Sequence, residues 1–460
     1  MWGSTRVRGM KNEKTTDLMH DLVLPTVLFA SLGAMTWAIR GCSGFGGSAG
    51  CLFAGVLWGA AWWFIAREPG GEQSRRYASG WIILALAFGI GISGMRGWMQ
   101  WPAFFDGRLQ TNYAAGEYVP ISRAYGFLWL FIAGVPWAGI GACMLAWCGS
   151  HRRTSWWQWI MRIGCGVAGY FVALWLFKAL PQVFLPLYSS MAERYQDWGA
   201  NPNLRRLIND NRAAITHLGV YLGFLGFEIG RRDWRNVTLI TTVGLLNGLG
   251  WAALQNWKWA PGVWPGVNFN WWRCWESSGG ISIGIAYGVA YFLVNRRVSD
   301  VERAKLGDLL RNQRPNLERF AVYLALVVGL GMSIKNGLKG WANIYIGNEN
   351  YWDNIFWNIA WPLMLLWLIV LVVRIRKTML PKGYPGDVFP RAALLMWVVL
   401  ITHNAIAQLV TASLGNWVEL SFSVYYLILF VISGFIIAHY HSMKKKAAGD
   451  VPNLEAALGG

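Results

Sequence analysis

The sequence predicts an all-α, polytopic transmembrane bundle of about twelve helices, and three observations carry that prediction. Of its 460 residues, 55% are hydrophobic and only 14% are charged, where a soluble domain carries about 25% charged residues. The apolar residues gather in windows of about 20, the length that crosses a hydrocarbon core. The basic residues, which give a formal charge of +18, sit in short clusters between those windows. Clusters of that kind orient a membrane protein, and they argue against a nucleic-acid partner.

The windows lie near residues 21–39, 45–66, 79–95, 124–147, 156–180, 213–230, 236–256, 278–295, 319–336, 353–373, 389–411 and 420–441. Residues 1–20 form a basic, polar tail with no small-residue cleavage site after the first apolar run, so a retained cytoplasmic tail and a signal-anchor first helix are expected. Arg67 with Arg75 and Arg76, His151 to Arg153, Arg231 with Arg232 and Arg235, Arg296 to Arg319, Arg374 to Lys377, and Lys444 to Lys446 all fall on alternate connections. The positive-inside rule then places both termini in the cytoplasm and the protein in the inner membrane as a multi-pass chain. The opposite connections, 96–123, 181–212, 257–277 and 337–352, are longer and richer in Trp, Tyr, Asn and Pro. Many of the 31 tryptophans stand at segment ends, where aromatic rings anchor helices at the interface.

Part of the chain is written twice. WAIRGCSGFGGSAG, from Trp37, is echoed by WRCWESSGGISIG from Trp272: Arg40 matches Arg273, Gly46 and Gly47 match Gly279 and Gly280, and Gly55 matches Gly288. LALAFGIGIS at Leu84–Ser93 is answered by LALVVGLGMS at Leu324–Ser333, and GMRGW at Gly94–Trp98 by GLKGW at Gly337–Trp341. Two matches in the same order predict two six-helix repeats, 21–230 and 236–441, joined by a short cytoplasmic linker at 231–235 and followed by a cytoplasmic tail at 442–460. An even number of spans per repeat makes the halves parallel, related by an axis along the membrane normal. The second copy carries an insertion rich in Trp, Pro and Gly, and residues 257–272 are expected to form a lid over the outer mouth. The plan resembles the major facilitator superfamily in topology, but REPGGEQSRR stands where that family's G-x-x-x-D-R/K pattern is expected, so no family follows from it.

The repeats also carry the functional expectation. Glycine runs at Gly41–Gly50 and Gly89–Gly94 suit close helix packing. Alternatively, Gly46, Gly47, Gly279 and Gly280 open two helices with unsatisfied N–H groups, which attract anions. Arg40, Arg273, Arg96 and Lys339 are cations at matching places beside them, and guanidinium groups grip carboxylate, sulfate or phosphate. The chain is therefore read as a secondary transporter for a small anionic solute, a sugar acid or other carboxylate, held between two halves. Glu276, which replaces Ser43 of the first copy, is a partner for Arg40 or Arg273 or a carrier of the coupling ion. His403, Asn404 and Gln408 place polar groups on or near one helix face and are further coupling candidates. Glu228 is assigned to the neighbouring Arg231 and Arg232 as a salt-bridge partner. His217, Asn247, Gln255 and Asn358 are the other polar residues inside apolar windows.

Two other functions remain open from the sequence: an enzyme acting on a lipid-linked or periplasmic glycan through outer carboxylates such as Asp106, Glu117, Glu193, Asp197 and Asp210, and a non-catalytic subunit of an envelope complex. No residue is assigned a catalytic role. No phosphate-loop lysine follows the glycine runs, and no His/Cys spacing suits a metal, so no cofactor is expected. Cys42 and Cys274 stand near matching places and are the one candidate disulfide. The implied partners are the solute and membrane lipid.

Overall fold

One helix forms the axis of the molecule. In the computed structural model, which describes residues 17–42, 48–67, 75–94, 101–150, 152, 154–296, 298–311, 315–377 and 389–449, α1 (Leu24–Cys42) follows a π-helical turn at Met19–Val23. The Asp17 carboxylate starts that turn by accepting from the Met19 amide at 3.0 Å, which satisfies one of the donors a helix start leaves over. Leu28, Phe29, Leu32, Ala34, Met35, Trp37 and Ile39 of α1 are fully buried. An all-round apolar helix belongs inside a bundle.

The chain continues through α2 (Ser48–Ala66), α3 (Trp81–Ser93) and α4 (Trp101–Phe104) into a small hairpin, β1 (Arg108–Asn112) and β2 (Glu117–Pro120). This antiparallel pair is a departure from the all-helical expectation, and Gly107 (φ +73°) and Gly116 (φ +70°) take backbone angles that only glycine adopts freely there. Next come α5 (Ala124–Gly149), α6 (Trp156–Ala179), α7 (Pro181–Phe184), α8 (Tyr188–Gln196), α9 (Pro202–Gly230) and α10 (Trp234–Ala253). Ser155 and Gln158 cap α6 reciprocally, and Asp233 caps α10. A 3-10 turn at Leu254–Trp259 and α11 (Ala260–Val263) lead to α12 (Trp271–Asn295), α13 (Asp300–Arg311) and α14 (Pro315–Ala325). The last elements are α15 (Gly331–Tyr345), α16 (Asp353–Ile355), α17 (Trp361–Lys377), α18 (Phe389–Leu409) and α19 (Trp417–Gly449).

All twelve apolar windows fall on helix. Among the described residues nine helices are long and apolar enough to cross a membrane, while Cys51–Ala66 and Trp81–Ser93 are shorter apolar helices. The remaining window lies on α10, whose 20 residues are diluted by Arg235, Asn236, Thr238, Thr241, Thr242 and Asn247.

Contacts between the connections sort them onto two faces. On one, Arg75 pairs with Asp21 at 2.6 Å, and Glu302 takes Arg76 at 2.6 Å and Arg235 at 2.8 Å. Lys444 donates to the Phe64 carbonyl at 2.6 Å, to Ile65 and to Arg67, closing the C-terminal end of α2. On the other face Trp259 donates to the Phe105 carbonyl at 2.9 Å, Trp101 to Asn211 at 2.7 Å, and the Tyr113 amide to Asn203 at 2.9 Å. The first face holds Arg67, Arg75, Arg76, Arg235 and Lys444 of the basic clusters, and the second holds Trp101, Tyr113 and Trp259 of the aromatic connections.

Helix α1 is encircled by α2, α12, α15, α18 and α19. Its tightest partner is α12. A Cβ on Gly280 would lie 2.0 Å from the Gly33 carbonyl oxygen, one on Gly284 would meet Phe29 and Ala30, and one on Gly288 would meet Thr26. Glycines four residues apart thus let two backbones touch, the arrangement expected where packing rather than water drives helix association. Gly280→Ala is expected to destabilise the detergent-solubilised protein by about 1–3 kcal/mol. Gly226→Ala, where a Cβ meets nothing within 4 Å, should not destabilise it; equal thermal unfolding of both variants would refute the contact.

The sequence repeat is not mirrored in the closest packings. Helix α1 lies along α12 and α5 along α10, whereas α10 with α2, and α17 with α1, which a parallel repeat would make equivalent to them, are not closely packed among the described residues.

Candidate functional site

The α1–α12 register brings the two sequence repeats to one level. The helices run antiparallel, with Gly33 opposite Gly280 and Thr26 opposite Gly288. Continuing the register by seven residues sets the last turn of α1, which holds Arg40, beside the first turn of α12, which holds Arg273. The side chain of Arg40, together with Gly46, Gly47 and Arg96, lies outside the described residues.

Arg273 is 5% exposed. It reaches Glu419 in the first turn of α19 at 2.6 Å and lies over the Phe422 ring at 4.6 Å. Glu419 also accepts from the Ala412 amide at 3.3 Å; a carboxylate at a helix N-terminus is favoured by the helix dipole. One turn further along α12, Glu276 is 6% exposed. Beyond it Ser277 shares a hydrogen bond with the Tyr425 hydroxyl at 2.8 Å, and Ser278 accepts from Trp257 at 2.7 Å. Trp37 and Trp137, at 5.1 Å, and Trp137 and Trp251, also at 5.1 Å, continue an aromatic wall behind Gly279. The segment expected to form a lid is tied down here through Trp257 and Trp259, and Trp264 stacks on Trp271 at 5.5 Å.

Three sequence expectations are corrected. Gly279 and Gly280 do not open a helix: Asn270 caps α12 and the helix begins at Trp271, so their amides lie in the helical ladder and the glycines serve the crossing with α1. Glu228 does not pair with Arg231 or Arg232; it meets Arg162 of α6 at 2.7 Å. Asn404 and Gln408 do not share a face with His403. Spaced one turn apart, they turn toward α19, where Asn404 donates to the Tyr426 carbonyl at 3.2 Å and Gln408 to the Ser423 carbonyl at 3.0 Å. Lys339 lies 3.3 Å from Glu349. Cys274 is a free thiol, and Cys42 falls outside the described side chains. The outer carboxylates are spread out: Asp197 accepts from the Ala200 amide at 3.1 Å in its own turn, whereas Asp106 lies in the turn before the β1–β2 hairpin.

A second group lies deeper. His403 is fully buried, and its Nδ1 stands 2.8 Å from the Val399 carbonyl. A carbonyl only accepts, so Nδ1 carries the proton and Nε2 presents a lone pair. Among the described residues, Nε2 of His403, Oγ of Ser333 and both amide atoms of Asn336 are buried without a hydrogen-bond partner, and all three residues have no exposure.

Helix register brings them together. Helices α15 and α18 run parallel, with Gly337 against Ile406 and the Tyr345 hydroxyl on the Thr411 carbonyl. Ser333 and His403 are each one turn before that contact. Helix α2 crosses both: Val56 meets Gly329, and one turn earlier the Phe53 ring stands 5.5 Å from His403. Trp58 of α2 donates to the Phe29 carbonyl at 3.1 Å, which sets Phe53, and with it His403, nearly two turns below Arg40 along α1. Unsatisfied polar atoms inside an apolar bundle are costly, and such residues line binding sites by default. Sequence reasoning missed Ser333 and Asn336. Their signal was two polar residues three apart in an apolar window, on one helix face.

Among the described residues no group of three or more His, Cys, Asp or Glu stands close enough to hold a metal ion. Fold and site together define a multi-pass helical membrane protein with a polar cluster at its core. Compared with known proteins, the chain matches no protein-family model, no curated protein and no solved structure.

Proposed function

We propose that this chain is a secondary permease for a small hydroxylated anion of the sugar-acid class, crossing the inner membrane twelve times with both termini on the basic, cytoplasmic face. One observation carries the reading: four buried polar atoms of His403, Ser333 and Asn336 lack hydrogen-bond partners among the described residues, nearly two turns below the level shared by Arg40 and Arg273. The neutral His403 Nε2 calls for a donor, and Asn336 offers both a donor and an acceptor, so this level suits hydroxyl groups. The arginine level suits a carboxylate. On this reading the sequence duplication supplies one cation from each repeat to a common site. Glu276 and His403 are the groups placed to exchange a coupling ion, while Gly279 and Gly280 set the spacing of α1 and α12. The aromatic outer face, with Trp257 and Trp264, suits the apolar faces of a sugar ring.

The test is a thermal-shift panel of uronic and aldonic acids, neutral sugars and dicarboxylates on the purified protein. A ligand of the folded state at a hundredfold excess over its Kd stabilises by about 2.7 kcal/mol. A shift with sugar acids is expected, lost in Asn336→Leu and weakened in Arg40→Ala. A panel in which only lipid-linked glycans shift the protein would replace the permease by an enzyme of the outer face.

A further inference from the structure

Helices α6 and α9 form a hairpin that packs through glycine, with Gly169 against Gly219 and Gly223 against the Cys165 carbonyl. Much of α6 faces away from the bundle: Trp157, Met161, Phe171, Val172 and Trp175 are each more than half exposed. Beside the contact runs a groove of about 970 Å³ lined by apolar side chains and by Gly226 and Gly230. A Cβ at either of those glycines would meet nothing within 4 Å. From Trp157 to Leu176 the groove follows α6 for about 30 Å, the thickness of the hydrocarbon core.

The groove is not apolar throughout. At the face of the basic clusters it ends on Arg231, whose guanidinium donates to Thr154 at 3.2 Å and lies beside the Phe227 ring. Arg152 donates to the Arg231 carbonyl at 2.7 Å, which brings a second guanidinium to the same end, and Arg232 follows in a left-handed turn. The nearest carboxylates are committed elsewhere: Glu228 accepts from Arg162 and Asn236, and Asp233 caps α10. An apolar channel that ends on two or three guanidinium groups at headgroup depth matches acyl chains joined to a phosphate. A second transmembrane helix would use the apolar walls but not the cations.

We infer that the α6–α9 groove binds an anionic phospholipid of the cytoplasmic leaflet, its chains beside Gly226 and Leu222 and its phosphate on Arg231 and Arg152. Lipid held there fills the side of a hairpin that among described helices packs chiefly on itself and α5.

The test is native mass spectrometry of the full chain, stripped of lipid in detergent and offered dioleoyl phosphatidylglycerol and dioleoyl phosphatidylcholine in equal amounts. Phosphatidylglycerol should be retained preferentially. Arg152→Gln with Arg231→Gln should weaken its retention roughly thirtyfold while leaving phosphatidylcholine unchanged. Gly226→Leu, which adds its side chain to open space, should lower both without unfolding the protein. Equal retention of the two lipids by the native chain, or undiminished phosphatidylglycerol binding in the double variant, overturns the inference. So does a native dimer that Gly226→Leu dissociates while lipid retention is unaltered, since the groove would then seat a second copy of this chain. None of these outcomes depends on the solute proposed above.

Discussion

Glu228→Ala is expected to destabilise the protein by about 3–5 kcal/mol, the cost of leaving a buried charge without its partner. Arg162 and Glu228 are both fully buried, and the Arg162 guanidinium lies by the Trp147 ring at 5.0 Å and the Trp159 ring at 4.8 Å, two rings set at right angles to each other. The other Glu228 oxygen accepts from Asn236 at 2.9 Å, and Asn236 in turn accepts from the Tyr77 hydroxyl at 2.8 Å. Burial, with Asp233 nearby, pushes that hydroxyl well above its ordinary range, so it remains a donor. One network therefore joins α6, α9, α10 and the connection before α3. Arg162→Met combined with Glu228→Leu should recover most of the loss, because neither charge is then stranded. Thermal and denaturant unfolding in detergent measure both variants. A single-variant cost below about 1 kcal/mol would mean that the pair is solvated.

The second large effect tests the proposed permease. Arg273→Ala strands Glu419 and is expected both to destabilise the outer ends of α12 and α19 and to abolish sugar-acid uptake. The two consequences separate in Arg273→Met with Glu419→Gln, which removes both charges at nearly constant volume. Stability should return and uptake should stay lost, because the cation proposed to bind the carboxylate is still missing. Restored uptake in the double variant would make Arg273 a structural latch and move solute recognition elsewhere. Protein level in the membrane, followed alongside uptake, keeps a folding failure from passing as a transport defect.

Much of the fold was legible in the sequence because the bilayer imposes a simple rule. Apolar runs of sufficient length must be helical, since their backbone groups find no other partner in lipid. The described parts of the twelve windows are accordingly helical apart from a few window ends, and Arg75, Arg76, Arg235 and Lys444 of the basic connections meet on one face. Within the Trp-rich insertion, Trp257 donates to Ser278 and Trp259 to the Phe105 carbonyl. Arg273 and Glu276 were singled out by the repeat and are buried together at the start of α12.

What the sequence by itself determined was therefore which segments are helices and which charged residues stand close to the apolar spans. Tertiary structure alone decided the partners. Glu228 finds Arg162, 66 residues away, rather than its chain neighbours, because α6 packs on α9. Gly279 and Gly280 look like a helix opening in one dimension, yet they are the surface on which α1 and α12 touch. His403 and Asn404 are adjacent in sequence but point about 100° apart around α18, one toward Phe53 of α2 and the other toward α19. The meeting of Ser333, Asn336 and His403 depends on the register of three helices against each other. Hydropathy fixes how a segment meets the membrane and is silent on how it is rotated against its neighbours; that rotation is set by close contacts such as Gly33 on Gly280 and Gly337 on Ile406.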